Sequence, residues 1–147
     1  MNEGYWSLLR VNVFITQLSA ERLWEVDRPL PAQVQIAVNI NILDLERRSD
    51  SILEAPFVFA VAFTPSIAQI NIRGRAQITG EKDEVGRVLE EHKQQKPIPM
   101  IIVQTISNAA MAESIILSRT IGVPPPLPPL PTPPGPDQTK PDTRYAT

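Results

Sequence analysis

Apolar and polar residues alternate through roughly the first eighty positions. In LRVNVFIT, Leu9, Val11, Val13 and Ile15 share one face. In QVQIAVNINI, Val34, Ile36, Val38, Ile40 and Ile42 face one way, and Gln33, Gln35, Ala37, Asn39 and Asn41 the other. A period of two predicts half-buried antiparallel strands, the second with a wet, uncharged amide face. PFVFAVAFT follows, with Phe57, Phe59, Val61 and Phe63 on one side. After a short turn at Pro65 and Ser66, AQINIRGRAQITG sets Ile70, Ile72, Ala76 and Ile78 against Gln69, Asn71, Arg73, Arg75 and Gln77. Gly74 interrupts the inward row and marks a bulge or a close backbone contact. Four strands joined by short links predict an antiparallel meander.

The period then changes. EKDEVGRVLEEHKQQ carries Val85, Val88 and Leu89 at helical spacing, with acids at its start where the helix dipole favours them, and Pro97 and Pro99 end it. From about Met100 a longer helix is expected. At 100° per residue, Ile102, Val103, Ile106, Ala109, Ala110, Ile116, Leu117 and Ile121 gather in one arc, with Gln104, Ser107, Asn108, Ser114, Ser118 and Arg119 opposite. Gly122 closes this helix in the usual C-terminal position. The expected fold class is α+β: a four-stranded antiparallel meander, a short helix, then one long helix packed on one face of the sheet. Three regions follow from the pattern: an α+β domain over residues 1–122, a proline-rich extended loop or arm over 123–136, and a polar tail over 137–147. The arm, VPPPLPPLPTPPGP, holds more than half of the chain's 16 prolines.

Composition narrows the function classes. The net charge is −2, which argues against a dedicated nucleic-acid binder with its basic stripe. There is no cysteine, so there is no disulfide and no thiolate metal site. The start, MNEGYWSLLRVNVF, is acidic and polar, and its apolar residues alternate instead of running together as in a signal peptide. Polar residues from Gln104 to Glu113 interrupt the longest apolar stretch, so no membrane span is expected, and the chain reads as soluble and cytoplasmic. The single histidine, His92, lies on the charged side of the short helix. The paired carboxylates of EKDEV and LEEH read as a solvated helix face. Arg73 and Arg75 could bind an anion, but they read as solubilising the outer sheet face. No enzyme, metal or cofactor is expected. Glu113 falls within the long helix's apolar arc, where a lone carboxylate is costly; it calls for an ion pair, an edge position or a subunit contact.

The order of these elements resembles the SecB family of protein-export chaperones, which hold unfolded preproteins. LRVNVFITQLSAE looks like the family's first strand, and INIRGRAQITG its fourth, with Gly74, Ile78 and Gly80 fitting that frame. MAESI resembles a segment of the family's main helix, with Ala112, Glu113 and Ile115 in register. After that helix the family runs Gly–x–aromatic–Pro–x–Leu–x–x–x–Pro, and Gly122, Pro125, Leu127 and Pro131 match it. The resemblance spans about residues 8–132. The sequence departs from the family at Pro124, which stands where the family has an aromatic residue, and in a C-terminal stretch that cannot form the family's last helix. The family docks the export ATPase SecA through carboxylates on the outer sheet face. Gln69, Asn71, Arg73 and Arg75 stand there in this chain, which argues against that docking.

The resemblance implies an ATP-independent holdase that receives extended polypeptide in an apolar groove bordered by the loop after the long helix. Prolines pre-set an extended backbone, so such a loop loses little entropy on presenting side chains. Val123, Leu127 and Leu130 are the expected polypeptide-binding residues. Family members form tetramers through their long helices, which implies a homo-oligomer interface at Ile106, Ala110, Glu113 and Leu117. Two other readings stand beside this one: a non-catalytic subunit of a large assembly, such as a ribosome or transport complex, anchored by the arm; and a tail presenting PPPLPPLP to a proline-reading module. The expected partners are therefore unfolded or nascent chains, or the subunits of a larger complex.

Overall fold

A computed structural model describes residues 9–127. Five strands form one antiparallel sheet: β1 (Arg10–Arg22), β2 (Gln35–Ile42), β3 (Glu46–Ser49), β4 (Ile52–Thr64) and β5 (Ala68–Thr79). Two helices follow, α1 (Lys82–Lys93) and α2 (Met100–Ile121). The alternating runs become strands with the expected rows inward. Phe57, Phe59, Val61 and Phe63 on β4, and Ile70, Ile72, Ala76 and Ile78 on β5, are buried on the helix side.

Two features of the expected sheet need correction. The order is β1-β5-β4-β2, with β3 also on β4, so the sheet is not a meander. β1 lies beside β5, the last strand, and the chain crosses the end of the sheet to begin β2 on the far edge: a Greek-key order. The second correction is the strand number. β3, ERRS, is fully exposed and carries no alternation to reveal it. It occupies the same lane as β2, pairing with the start of β4 while β2 pairs with the rest. The lane breaks at Leu43–Leu45, where the Leu43 amide still donates to Pro56 O (2.8 Å) and the Asp44 carboxylate accepts from the Leu45 amide.

Gly74 is both of the things its position suggested. β1 changes register against β5 between Ile15 and Gln17, next to the Ile15–Gly74 pair. A Cβ on Gly74 would collide with the Phe14 carbonyl and lie 2.8 Å from Phe57 Cζ. The bulge shifts the inward row of β1 from Val11, Val13 and Ile15 to Leu18, Ala20 and Arg22, which pair with Ile72, Ile70 and Ala68.

α1 opens on a capping box in which Glu81 and Glu84 each accept the other's backbone N–H. Glu84 is buried, and its Oε2 has no partner among the described residues. Val85 and Val88 anchor α1 in a first core cluster with Leu53, Phe57, Ile78, Ile102 and Ile106. α2 runs from that cluster to a second one around Phe59, Val61, Phe63, Ile67 and Ala110, lying mainly across β1 and β5. Burying each large aliphatic or aromatic side chain is worth about 1.5–3 kcal/mol, so these two clusters hold the helix layer on the sheet.

The buried row of α2 is Ile102, Ile106, Ala110, Ser114 and Ser118, a strict step of four. At 3.6 residues per turn that step rotates about 40° each time, so the contact line winds around the helix. Ser114 and Ser118, expected to face solvent, lie under the helix. Their hydroxyls are satisfied by donating to Met111 O and Ser114 O, both at 2.8 Å. Ile116, expected in the core arc, is exposed. Among the described residues α2 is the one helix whose length and composition would suit a bilayer span, and only 22% of its most apolar window is buried.

Candidate functional site

β2 is an edge strand outside the main footprint of α2. Its inward row, Ile36, Val38, Ile40 and Ile42, pairs with Phe63, Val61, Phe59 and Phe57 of β4. The floor beneath is buried, yet Val38 keeps 42% of its surface exposed. β2 carries no charged residue and no proline, the usual guards of a free edge. By contrast the β1 edge has Arg10, Glu21, Arg22 and a bulge, and β3 has Glu46, Arg47 and Arg48. The result is an uncharged aliphatic shelf with open backbone hydrogen-bonding groups along its rim.

Two segments meet at one end of this shelf. The first is the crossing loop between β1 and β2, folded around Trp24. The Trp24 indole N–H donates to Pro29 O (3.1 Å), and the Arg28 guanidinium lies 4.1 Å from the ring centroid. The second is the root of the proline-rich arm. Gly122 adopts φ 72°, ψ 38°, and the Gly122 and Val123 amides donate to Arg119 O and Ser118 O. This is the Schellman ending that Gly122 announced in the sequence. Trp24, Leu30, Val34 and Ile36 pack against the same cluster that holds Val123.

Arg22 joins these segments, and nothing in the sequence pattern singled it out. Its Nε donates to Trp24 O (2.8 Å), and its Nη1 to Ile121 O (3.0 Å) and Gly122 O (2.9 Å). The guanidinium thus sits at the negative end of the α2 dipole and satisfies carbonyls that the helix leaves unpaired. All its partners are backbone atoms, and the two at the helix end lie about a hundred positions away, which no side-chain motif records.

The expected binding residues divide. Val123 is buried at 5% exposure and acts as the anchor of the arm. Leu127 projects into solvent at 71% exposure. Leu130, like the arm from position 128 onward and the tail, lies outside the described residues. The four residues expected at an oligomer interface also divide. Ile106 and Ala110 are fully buried in the chain's own core, so neither offers surface to a second copy. Leu117 and Glu113 are half-buried on the flanks of α2. The winding of the contact line carries Glu113 away from the sheet, and it makes no ion pair among the described residues. The free row of α2 is Met100, Gln104, Asn108, Ala112, Ile116 and Thr120, with a hollow of about 300 Å³ beside Ile116, Arg119 and Thr120.

The outer sheet face is polar. Asn39, Asn41, Gln69, Asn71 and Gln77 surround a narrow lane of Val58, Ala60 and Ala62. At its β3 end Glu54 accepts from Arg48 and Arg75, and the Arg48 hydrogen bond, foremost, holds the Glu54 carboxyl below its ordinary value. Among the described residues no group of three or more His, Asp or Glu side chains could hold a metal ion.

No protein-family model matches the chain, and neither does any curated protein sequence. Its fold does match a solved structure: the SecB-like chaperone Rv1957 of Mycobacterium tuberculosis, in complex with a ChAD peptide from the Rv1956 HigA1 antitoxin. The two align with a TM-score of 0.59 at 8% identity, over 84% of this chain and 91% of that one. The chain therefore has a SecB-like fold.

Proposed function

We propose that this protein is an ATP-independent holdase that binds unfolded or nascent polypeptide in an extended form along the β2 shelf, beside the Trp24 loop and the proline-rich arm. The observation that carries the reading is the half-covered aliphatic row of β2, exposed most at Val38, on a SecB-like fold. A neighbour in that fold is a SecB-like chaperone in complex with a peptide from an antitoxin, which supports a peptide-like ligand here. An extended chain laid on this shelf covers Val38 with alternate apolar side chains, and its backbone pairs with the free rim of β2. Leu127 adds an apolar contact from the arm. The work needs no nucleotide, because binding draws on apolar burial and backbone pairing. We place it in the cytoplasm, acting as a homo-oligomer through the free row of α2.

The test is aggregation of a chemically unfolded client, followed by light scattering without nucleotide. The expected result is suppression at near-equimolar protein. Undiminished aggregation at a severalfold excess overturns the reading.

A second reading, a non-catalytic subunit of a larger assembly, draws on the sparse burial of α2. It predicts co-sedimentation of the protein with a large particle in high-salt native lysate, and no effect on client aggregation.

A further inference from the structure

We propose that Arg22 couples the Trp24 loop to the root of the proline-rich arm, so that loosening either segment at the end of the shelf loosens the other. The consequence for client binding rests on the function proposed above; the coupling itself does not.

Arg22 has no acidic partner among the described residues. It spends its donors on carbonyls of two segments: Trp24 and, at 3.4 Å, Glu25 on the loop, and Ile121 and Gly122 at the end of α2. A planar guanidinium can bridge such separated acceptors, whereas a lysine ammonium offers its protons from a single point. The loop holds itself together around Trp24, through the indole bond to Pro29 O, the stacked Arg28, and the Arg28 amide donating to Glu25 O (3.2 Å). These contacts tie it into one body. The arm root is equally well defined by its Schellman bonds. Arg22 is the polar link between the two bodies, and Leu23, whose amide donates to Ile67 O (2.8 Å), is where the loop leaves the sheet. Gly122 presses against this link: a Cβ there would lie 3.0 Å from Arg22 Nη1, at a positive φ that disfavours any other residue. Loosening the arm root must then disturb the guanidinium, and through it the loop. Arg22 is a positioning residue in this scheme, acting on the shelf through the segments it ties.

Amide hydrogen exchange on the full-length protein tests the link through a double-mutant cycle. Arg22→Gln is expected to speed exchange at least tenfold at Leu23, Arg28 and Val123, leaving Phe59 and Ile72 unchanged. Gly122→Ala alone is expected to speed Leu23 and Arg28, although neither belongs to the arm. In the Arg22→Gln background, Gly122→Ala should change Leu23 and Arg28 less than twofold further. Additive effects, or a Gly122→Ala variant with wild-type exchange at Leu23 and Arg28, overturn the coupling. If Arg22→Gln speeds exchange everywhere, Arg22→Lys takes its place in the same cycle with the same criteria. Client affinity, measured in parallel, is expected to fall about fivefold in either Arg22 variant, mainly through faster release. A wild-type protein that binds no client overturns the holdase reading and leaves the exchange cycle to decide the coupling.

Discussion

Replacing Val38 with Asp places a charge in the middle of the shelf. Val38 is 42% exposed. Full burial of a valine is worth about 1.5–3 kcal/mol, so a client that covers the remaining surface gains about 1 kcal/mol there. Aspartate forfeits that gain and must itself be dehydrated, at a cost of about 2 kcal/mol in a partly wet site. Together these weaken binding about 100-fold. The neighbouring substitution Asn39→Asp introduces the same charge on the same strand but on the opposite face, opposite Ala60, and should change affinity less than twofold. Val38→Thr keeps strand propensity and size, and should cost about fivefold. Anisotropy of a labelled unfolded client measures affinity, and urea midpoints establish that each variant is folded. The reasoning fails if Val38→Asp binds like wild type, or if Asn39→Asp weakens binding as much as Val38→Asp does.

Gly74→Ala should lower stability by about 2–3 kcal/mol in urea unfolding, because its Cβ meets the backbone of the β1 bulge, which cannot yield as a flexible side chain could; stability within 0.5 kcal/mol of wild type would show that the close approach is absent. Ile116→Asp should dissociate the proposed homo-oligomer in sedimentation velocity while leaving the urea midpoint nearly unchanged, and a wild-type monomer would refute that assembly; Ile106→Asp, at a fully buried site, should prevent folding. Glu54 is held below its ordinary value of 4.5 by its arginine partners. Its contribution is therefore fully present above the unfolded-state value and is lost as pH falls through the lowered folded value. Glu54→Gln should flatten that part of the acid limb of the stability curve, and an unchanged limb would show that these exposed pairs contribute nothing.

The inward rows were legible in the sequence because burial on one face leaves a period of two, and Gly122 and Gly74 because each occupies a backbone situation few residues tolerate. Strand order was not, since alternation fixes which face a residue takes but not which strand lies beside it. The chain thus read as a meander, although β1 pairs with β5. β3 was hidden because all four of its residues are exposed. The helix arc failed for a geometric reason. A fixed 100° wheel assumes a straight contact line, whereas a row of step four winds around the helix, drawing Ser114 and Ser118 inward and leaving Ile116 outside. The same winding explains why Glu113, which the wheel put within the apolar arc, sits harmlessly at the flank. The site was half visible. Val123 was expected as a binding contact but is buried, because residue types do not show that the Schellman turn tucks it under the sheet's end; Arg22 acts on backbone carbonyls, which leave no trace in residue types.

The most direct measurement is a methyl NMR titration of the protein with an unfolded client, without nucleotide. Binding along the shelf predicts saturable shifts at the methyls of Ile36, Val38, Ile40, Val123 and Leu127, with Val58, Ala60 and Ala62 on the outer face unmoved. Shifts confined to the outer face, or to the free row of α2 at Met100 and Ile116, would place the ligand elsewhere and remove the shelf as the binding surface.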